Sequence, residues 1–316
     1  LERAVAAADL QTIDKADRHG IKTQLADMLV VNNQPARALA LTSEVLNDSP
    51  APIEEIAALR MQGNAFEISD RYVDAEQSLL RALELQQNHD PADVYVGMIQ
   101  NDLGIVYWRM QDYSKSAEMS DAAWRQKQDV YGPDHPGTLA SLTNLAMAYS
   151  AMGDHAAAET ALLESLAALE RNFADTPHPD IARTYGSLAR ARYLQDDIEA
   201  TRVALDQGMA QLELIPEGNR SLVPRLAQLD ALLRFDSGQP IELNELDRDA
   251  ERCRDLATMS PYNRRVCLAW WWIASEPPAR CPGTAPASPD ADTVASWPQR
   301  WQGRWTTIQQ RCPPEL

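Results

Sequence analysis

Apolar and small residues recur every three or four positions along most of this chain, and short polar breaks interrupt them at regular intervals. Within residues 131–159, Leu145 and Tyr149 lie on one side of a predicted helix. Gly153 then breaks the pattern, and Ala158 lies in a second apolar run. The pattern predicts two antiparallel helices joined by a tight turn.

The same pattern stands 42 residues upstream, where Leu103 and Tyr107 occupy the positions of Leu145 and Tyr149. Self-similarity at a fixed period indicates a repeat array, in which neighbouring helix pairs stack to bury their apolar faces. The copies predict a lone helix in residues 1–17 and then helix pairs in residues 21–47, 53–87, 91–130, 137–173 and 179–214, with a degenerate sixth pair in residues 222–258.

These spacings resemble the tetratricopeptide repeat, in which small residues such as Gly104 and Ala146 stand where two helices touch. The linker in residues 132–136 is similar to that of the kinesin-light-chain type, and His135 and His178 in such linkers are expected to cap or buttress the turns. The resemblance covers residues 21–214. It implies an all-α, right-handed α-solenoid whose first helices line a concave groove.

The first helices therefore supply the candidate binding residues, counted from the small residue in each. This groove set comprises Arg60, Asn64, Glu67, Asn101, Trp108, Thr143, Asn144, Met147 and Arg190. Asn101 and Asn144 could hydrogen-bond the backbone of an extended peptide, because an amide offers donors and an acceptor. The alternative is a role inside the repeat packing. Trp108 is either an anchor for a ligand or a packing residue.

The composition changes at residue 247, which divides the chain into a predicted solenoid, residues 1–246, and a predicted cap, residues 247–316. Six of the eight tryptophans and all four cysteines lie in this second part. Cys253 and Cys267 flank Ser260 symmetrically, so they meet in an antiparallel helical hairpin and are predicted to form a disulfide. Cys281 and Cys312 form the second predicted pair. Four buried free thiols are the alternative, and the tryptophans are expected to be buried rather than to form an exposed patch.

Charge and motifs exclude several functions. The formal net charge of −17 lies essentially on residues 1–246 and disfavours nucleic-acid binding. No apolar run is long enough to span a membrane. The sequence has no phosphate loop, no nucleophile elbow and no metal-spaced histidine pair. Neither enzymatic activity, nor a cofactor, nor a metal site is expected.

A protein or peptide ligand remains as the expected partner. The array, the cysteines and the start at Leu1 rather than Met are similar in style to the extracytoplasmic sensor regions of some bacterial serine/threonine protein kinases. That resemblance implies a periplasmic location, a membrane anchor outside this chain and a possible homodimer. The alternatives are a cytosolic scaffold or peptide-responsive regulator, and an assembly factor of the envelope or a secretion machine.

Overall fold

The computed structural model describes residues 14–174, 176–215, 223–246, 253, 261–274, 294–295, 297 and 299–312. Every regular element in these residues is helical. The chain divides into two compact units, an amino-terminal unit from Leu1 to Ala148 and a carboxy-terminal unit from Tyr149 to Leu316. This division does not test the boundary that the composition predicts at residue 247, which stays a prediction.

The amino-terminal unit is built of paired helices that pack in chain order. Each helix from α1 to α5 contacts the next one, and α3 also contacts α1 and α5. The helices are α1 (Lys15–Val31), α2 (Pro35–Asn47), α3 (Pro52–Glu67), α4 (Tyr72–His89), α5 (Val94–Arg109), α6 (Tyr113–Tyr131) and α7 (Pro136–Met152), the last of which extends into the other unit.

The carboxy-terminal unit continues with helix pairs and ends in a tryptophan-rich segment. Here α8 contacts α9, α9 contacts α10, and α12 contacts α9, α11 and α13. The elements are α8 (His155–Phe173), α9 (Pro179–Leu194), α10 (Ile198–Glu213), α11 (Val223–Asp236), a short 3-10 helix (Leu243–Leu246), α12 (Pro261–Ala274) and α13 (Gln299–Arg311).

The turns inside the helix pairs share one backbone conformation. In each of the five pairs the turn contains one residue with positive φ, and the next N–H donates to the carbonyl five residues earlier. These turn residues are Asn33, Asp70, Gln111, Gly153 and Asp196. In the last three pairs an aspartate follows, and its carboxylate accepts a backbone N–H at the start of the second helix. The repeated turn therefore ends one helix and begins the next.

The linkers between pairs use histidine as a helix cap. The Nδ1 atom of His135 accepts the N–H of Gly137 at 3.0 Å, and the Nδ1 atom of His178 accepts the N–H of Asp180 at 3.2 Å. Each ring also stacks on an aromatic ring of the preceding helix. The predicted capping role of both histidines is confirmed.

Two predicted boundaries differ from the structure. The first pair begins at Lys15 rather than at residue 21, because the Asp14 carboxylate caps α1 by accepting the N–H of Ala16. The prediction of a lone helix in residues 1–17 is therefore wrong for its last three residues, which belong to α1. Residues 1–13 lie outside the described residues. The helix predicted to begin at Leu243 starts as a 3-10 helix, and residues 247–252 and 254–258 also lie outside the description.

Small residues let the helices approach closely, and they predict a matched pair of glycine substitutions. A Cβ atom on Gly63 would lie 2.5 Å from Cγ of the fully buried Leu79, so Gly63→Ala should lower the free energy of unfolding by about 1–3 kcal/mol. A Cβ on the exposed Gly20, within α1, meets no described atom within 4 Å, and Gly20→Ala should raise that free energy by about 0.5–1 kcal/mol. Urea unfolding followed by circular dichroism measures both. Equal effects would contradict this packing.

A disulfide joins Cys253 to Cys267, as predicted, with the two Cα atoms 5.3 Å apart. Both cysteines are fully buried, and the indole N–H of Trp271 donates to the carbonyl of Cys253. With the helical elements above and this bond, the fold class predicted from the sequence, all-α with a disulfide in the carboxy-terminal segment, is confirmed. Cys312 is buried, but Cys281 lies outside the described residues, so that pair stays a prediction.

The tryptophans of this segment are buried, as expected, with one half-buried exception, Trp272. The buried ones are Trp270, Trp271, Trp297, Trp301 and Trp305. Their burial excludes the alternative of an exposed aromatic patch for these side chains. Arg304 packs on the rings of Phe235 and Trp301 and pairs with the Asp236 carboxylate.

Candidate functional site

The facing sides of α3, α5 and α7 in the amino-terminal unit carry a line of polar side chains, which we call the first-helix face. At one end, Nε of Arg60 donates to Oδ2 of Asp102 at 2.6 Å, and Nδ2 of Asn64 donates to the same oxygen at 3.2 Å. Burial opposes ionisation of Arg60, but the Asp102 carboxylate prevails and raises the pKa of the guanidinium. The Arg60 guanidinium therefore stays charged.

A lysine of the second helix α6 also reaches this face. The Lys127 stem runs over Gly97 of α5, where an added Cβ would lie 3.2 Å from Cγ of Lys127. Its Nζ atom donates to Oγ of Ser141 on α7 at 2.9 Å, although the side chain is only 7% exposed. Burial lowers the pKa of this ammonium group, and Asp102 partly opposes the shift.

Two amides meet between α5 and α7. Oδ1 of Asn101 accepts hydrogen bonds from Nδ2 of Asn144 and from Oγ of Ser141, each at 3.0 Å. Within the described residues, the Asn101 amide nitrogen and the Asn144 amide oxygen have no hydrogen-bond partner. The pair therefore retains donors and an acceptor on one half-buried surface.

The repeat period accounts for the contacts along this face. Arg60 pairs with Asp102 and Glu67 pairs with Arg109 at 2.9 Å, and both partners stand 42 residues apart. Equivalent positions of neighbouring first helices thus lie side by side. The period could have identified Asp102, which sequence analysis missed.

Ser141 and Lys127 were also missed, for a different reason. Their sequence signal is weak, because helical periodicity assigns Lys127 to a second helix and the contact depends on the space that Gly97 leaves.

The remaining members of the groove set are placed as follows. Trp108 is half-buried beside Tyr113, and its buried indole N–H has no partner among the described residues. Thr143 is buried and donates to the carbonyl of Leu139, so it offers little surface. Met147 is half-buried. Arg190 belongs to the carboxy-terminal unit, where its guanidinium lies over the ring of Tyr262.

A concave feature lies in the carboxy-terminal unit between α10 and α11. It is a cleft of about 400 Å³ lined by Leu205, Met209 and Ala227 and by four charged side chains. Three of these, Asp230, Arg234 and Glu245, pair with charged neighbours in the same cluster. They are engaged in structural ion pairs, which makes this cleft a weaker candidate than the first-helix face.

The described part of the chain has neither a metal-binding cluster nor a membrane-spanning helix. It contains no group of three histidine, cysteine, aspartate or glutamate side chains placed to hold a metal ion. None of its helices has the length and apolar character required to span a bilayer.

Comparison with known proteins identifies the repeats. No curated protein sequence matches the chain. Among solved structures, RapI in its apo form superposes with a TM-score of 0.63 at 10% identity, covering 93% of this chain and 98% of RapI. Kinesin-light-chain repeats of Podosopora anserina give a TM-score of 0.54 at 19% identity, covering 63% of this chain and 97% of that one.

A third similar structure is PilW, a type IV pilus biogenesis factor, with a TM-score of 0.51, 20% identity and coverage of 69% and 89%. At these identities the likeness concerns the fold alone. The sequence match is more specific. The stretch from residue 95 to residue 171, which includes nearly all of α5, all of α6 and α7 and most of α8, matches the family model of the tetratricopeptide repeat.

Proposed function

We propose that this chain is a noncatalytic module that binds a protein or peptide segment on its first-helix face. The observation that carries the proposal is the pair of amides at Asn101 and Asn144, which leave donors and an acceptor unused. A peptide group offers the complementary carbonyl and N–H, so an extended segment can bond to both amides without displacing the bond between them.

Charge narrows the class of partner. The net charge of −17 favours basic or neutral segments through the long-range field. Close to the amides, however, Lys127 and Arg60 contribute two positive charges against one from Asp102. A segment that is basic overall and presents backbone to the amides fits both features.

The finer proposal is that the module is the periplasmic sensor region of a bacterial serine/threonine kinase, anchored by a membrane segment outside this chain and active as a homodimer. The Cys253–Cys267 disulfide supports an oxidising compartment, since such bonds persist outside the cytosol. A cytosolic scaffold or peptide-responsive regulator requires reduced thiols instead. An envelope assembly factor requires a large permanent interface with its partner.

Peptide selection tests the binding proposal. Random peptides displayed on phage are selected on the purified chain, and the affinities of the enriched peptides are measured by isothermal titration. Asn144→Ala removes one amide and should weaken binding roughly tenfold, the usual value of one to two hydrogen bonds. Asn101→Ala should have at least this effect.

Asn88→Ala is the matched control, because Asn88 is an exposed asparagine near the end of α4. It should leave the affinity unchanged, and circular dichroism should show that all three variants fold. Enriched peptides that bind the Asn101 and Asn144 variants as tightly as the wild type would overturn the assignment of the site.

A further inference from the structure

His19 is a buried histidine held between two carboxylates at the junction of the first two helix pairs. It lies on α1 and is 1% exposed. Its Nδ1 atom is 2.6 Å from Oε2 of Glu54, and its Nε2 atom is 3.1 Å from Oδ2 of Asp48. Asp48 follows α2, and Glu54 lies in the first turn of α3. The imidazole therefore connects three helices.

The protonation state follows from the hydrogen-bond inventory of the ring. A carboxylate only accepts hydrogen bonds, so each ring nitrogen must carry a proton to bond to its partner. A neutral imidazole has one N–H, and its other nitrogen would direct a lone pair at a carboxylate oxygen. Only the imidazolium ion satisfies both contacts.

The surrounding charges act in both directions, because the two carboxylates favour the imidazolium ion whereas the cations of α1 oppose it. Lys15 and Arg18 lie on the same helix, with their nitrogens 3.7 and 3.9 Å from the Asp48 carboxylate. Glu54 also accepts the backbone N–H of Ala51 at 3.0 Å. The hydrogen bond from His19 is the main cause that lowers the pKa of both Asp48 and Glu54, so both carboxyl groups stay ionised when the solution is mildly acidic.

We propose that His19 is a proton-dependent lock that holds α1, the end of α2 and the start of α3 together. With the ring protonated, both carboxylates are bonded, one at the end of α2 and one in α3. When the ring loses its proton, one of the two contacts is lost, and α1 and α2 open more often. The first-helix face on α3, α5 and α7 is not part of this lock, so the inference does not depend on the proposed function.

The direction of the pH dependence follows from linkage. Docking brings two carboxylate acceptors to the ring, and only a ring with both N–H groups can donate to both of them, so proton binding and docking favour each other. The stabilisation is present at low pH, where the ring is protonated, and is lost as the pH rises and the ring deprotonates.

Hydrogen exchange measured by mass spectrometry tests the lock. Exchange of the complete chain is compared at about pH 5.5 and about pH 8.5, on either side of the range in which histidine usually titrates, with correction for the intrinsic rate. Protection of α1 and α2 should fall roughly tenfold at the higher pH, the equilibrium value of one charge-assisted hydrogen bond. Protection of α5 and α6 serves as the internal reference.

Variants separate His19 from other titrating groups. His19→Gln should abolish the pH dependence in α1 and α2, whereas His89→Gln, at an exposed position of α4, should retain it. If His19→Gln fails to fold, Glu54→Gln serves as the second variant. It leaves one carboxylate on the ring and should reduce the pH dependence of protection in α1 and α2. A His19→Gln variant with wild-type pH dependence would overturn the proposal.

The wild-type ring can also be observed directly. Nitrogen-15 chemical shifts of the His19 imidazole should show a proton on both nitrogens at about pH 5.5 and on one nitrogen at about pH 8.5, the two conditions of the exchange experiment. A ring with one protonated nitrogen at both pH values would overturn the proposal.

Discussion

Replacing Arg265 with alanine is expected to lower the free energy of unfolding of the carboxy-terminal unit by about 3–5 kcal/mol, the usual cost of removing one partner from a buried charged network. Arg265 lies on α12 and is 7% exposed. Its guanidinium donates to the carbonyl of Tyr193 at 2.6 Å, to that of Leu194 at 3.2 Å and to the Asp196 carboxylate at 3.1 Å. It also lies over the Tyr193 ring.

These contacts explain the size of the expected effect. The last carbonyl groups of α9 have no partner within their own helix, and Arg265 satisfies two of them from the tryptophan-rich segment. Alanine would remove the charged donor of the Leu194 carbonyl and of the Asp196 carboxylate and the packing on Tyr193, whereas the Tyr193 carbonyl would keep the N–H of Asp196 at 3.1 Å. The arginine therefore holds α12 to the end of α9.

Urea unfolding followed by tryptophan fluorescence measures this effect, since six of the eight tryptophans lie beyond residue 269. Arg125→Ala is the control, because the Arg125 side chain is 69% exposed and pairs with Asp121 on the surface of α6. Its effect should stay within about 0.5 kcal/mol. Arg265→Lys should fall between, as an ammonium group cannot reach all three acceptors in the same geometry. Equal effects of the Arg265 and Arg125 substitutions would contradict the role of Arg265.

Removing the Cys253–Cys267 disulfide is the second change with a large expected effect. The two bonded cysteines stand 14 residues apart in the sequence. In the chain-entropy model, closing a loop of this size raises the free energy of unfolding by about 3 kcal/mol. The double variant Cys253→Ala, Cys267→Ala should therefore have a free energy of unfolding about 3 kcal/mol lower than the wild type. Both cysteines are fully buried, so the small apolar side chain of alanine suits both positions.

The choice of alanine avoids burying two hydroxyl groups, which serine would introduce. Fluorescence-detected urea unfolding again gives the value, and reduced wild type should match the double variant if this bond accounts for the change. A structural disulfide would be contradicted if neither reduction of the wild type nor the double substitution changed the urea midpoint of unfolding.

Sequence periodicity predicted the helix pairs because each pair repeats the same turn and the same small contact residues. The 42-residue period even specifies which side chains of neighbouring first helices meet, as Arg60 and Asp102 do. The disulfide was predictable for a similar reason, since a break at Ser260 places Cys253 and Cys267 at equal distances from the turn of a hairpin.

Other contacts have no periodic signal. Lys127 reaches the first-helix face from a second helix because Gly97 leaves room for its stem. The carboxylates that hold His19 lie 29 and 35 residues away, one after a helix end and one in a helix start. Arg265 finds its acceptors about 70 residues away, at the end of α9. Such contacts depend on tertiary packing, which a pattern within single helices does not encode.

Amide chemical-shift mapping with an enriched peptide tests the central claim most directly. On titration with the peptide, the largest shifts are predicted in α3, α5 and α7, around Asn64, Asn101 and Asn144, and the side-chain amides of the last two should shift as well. A scrambled peptide should cause no such changes. Shifts concentrated in the second helices α4 and α6, or in the carboxy-terminal unit, would contradict the first-helix face as the binding site.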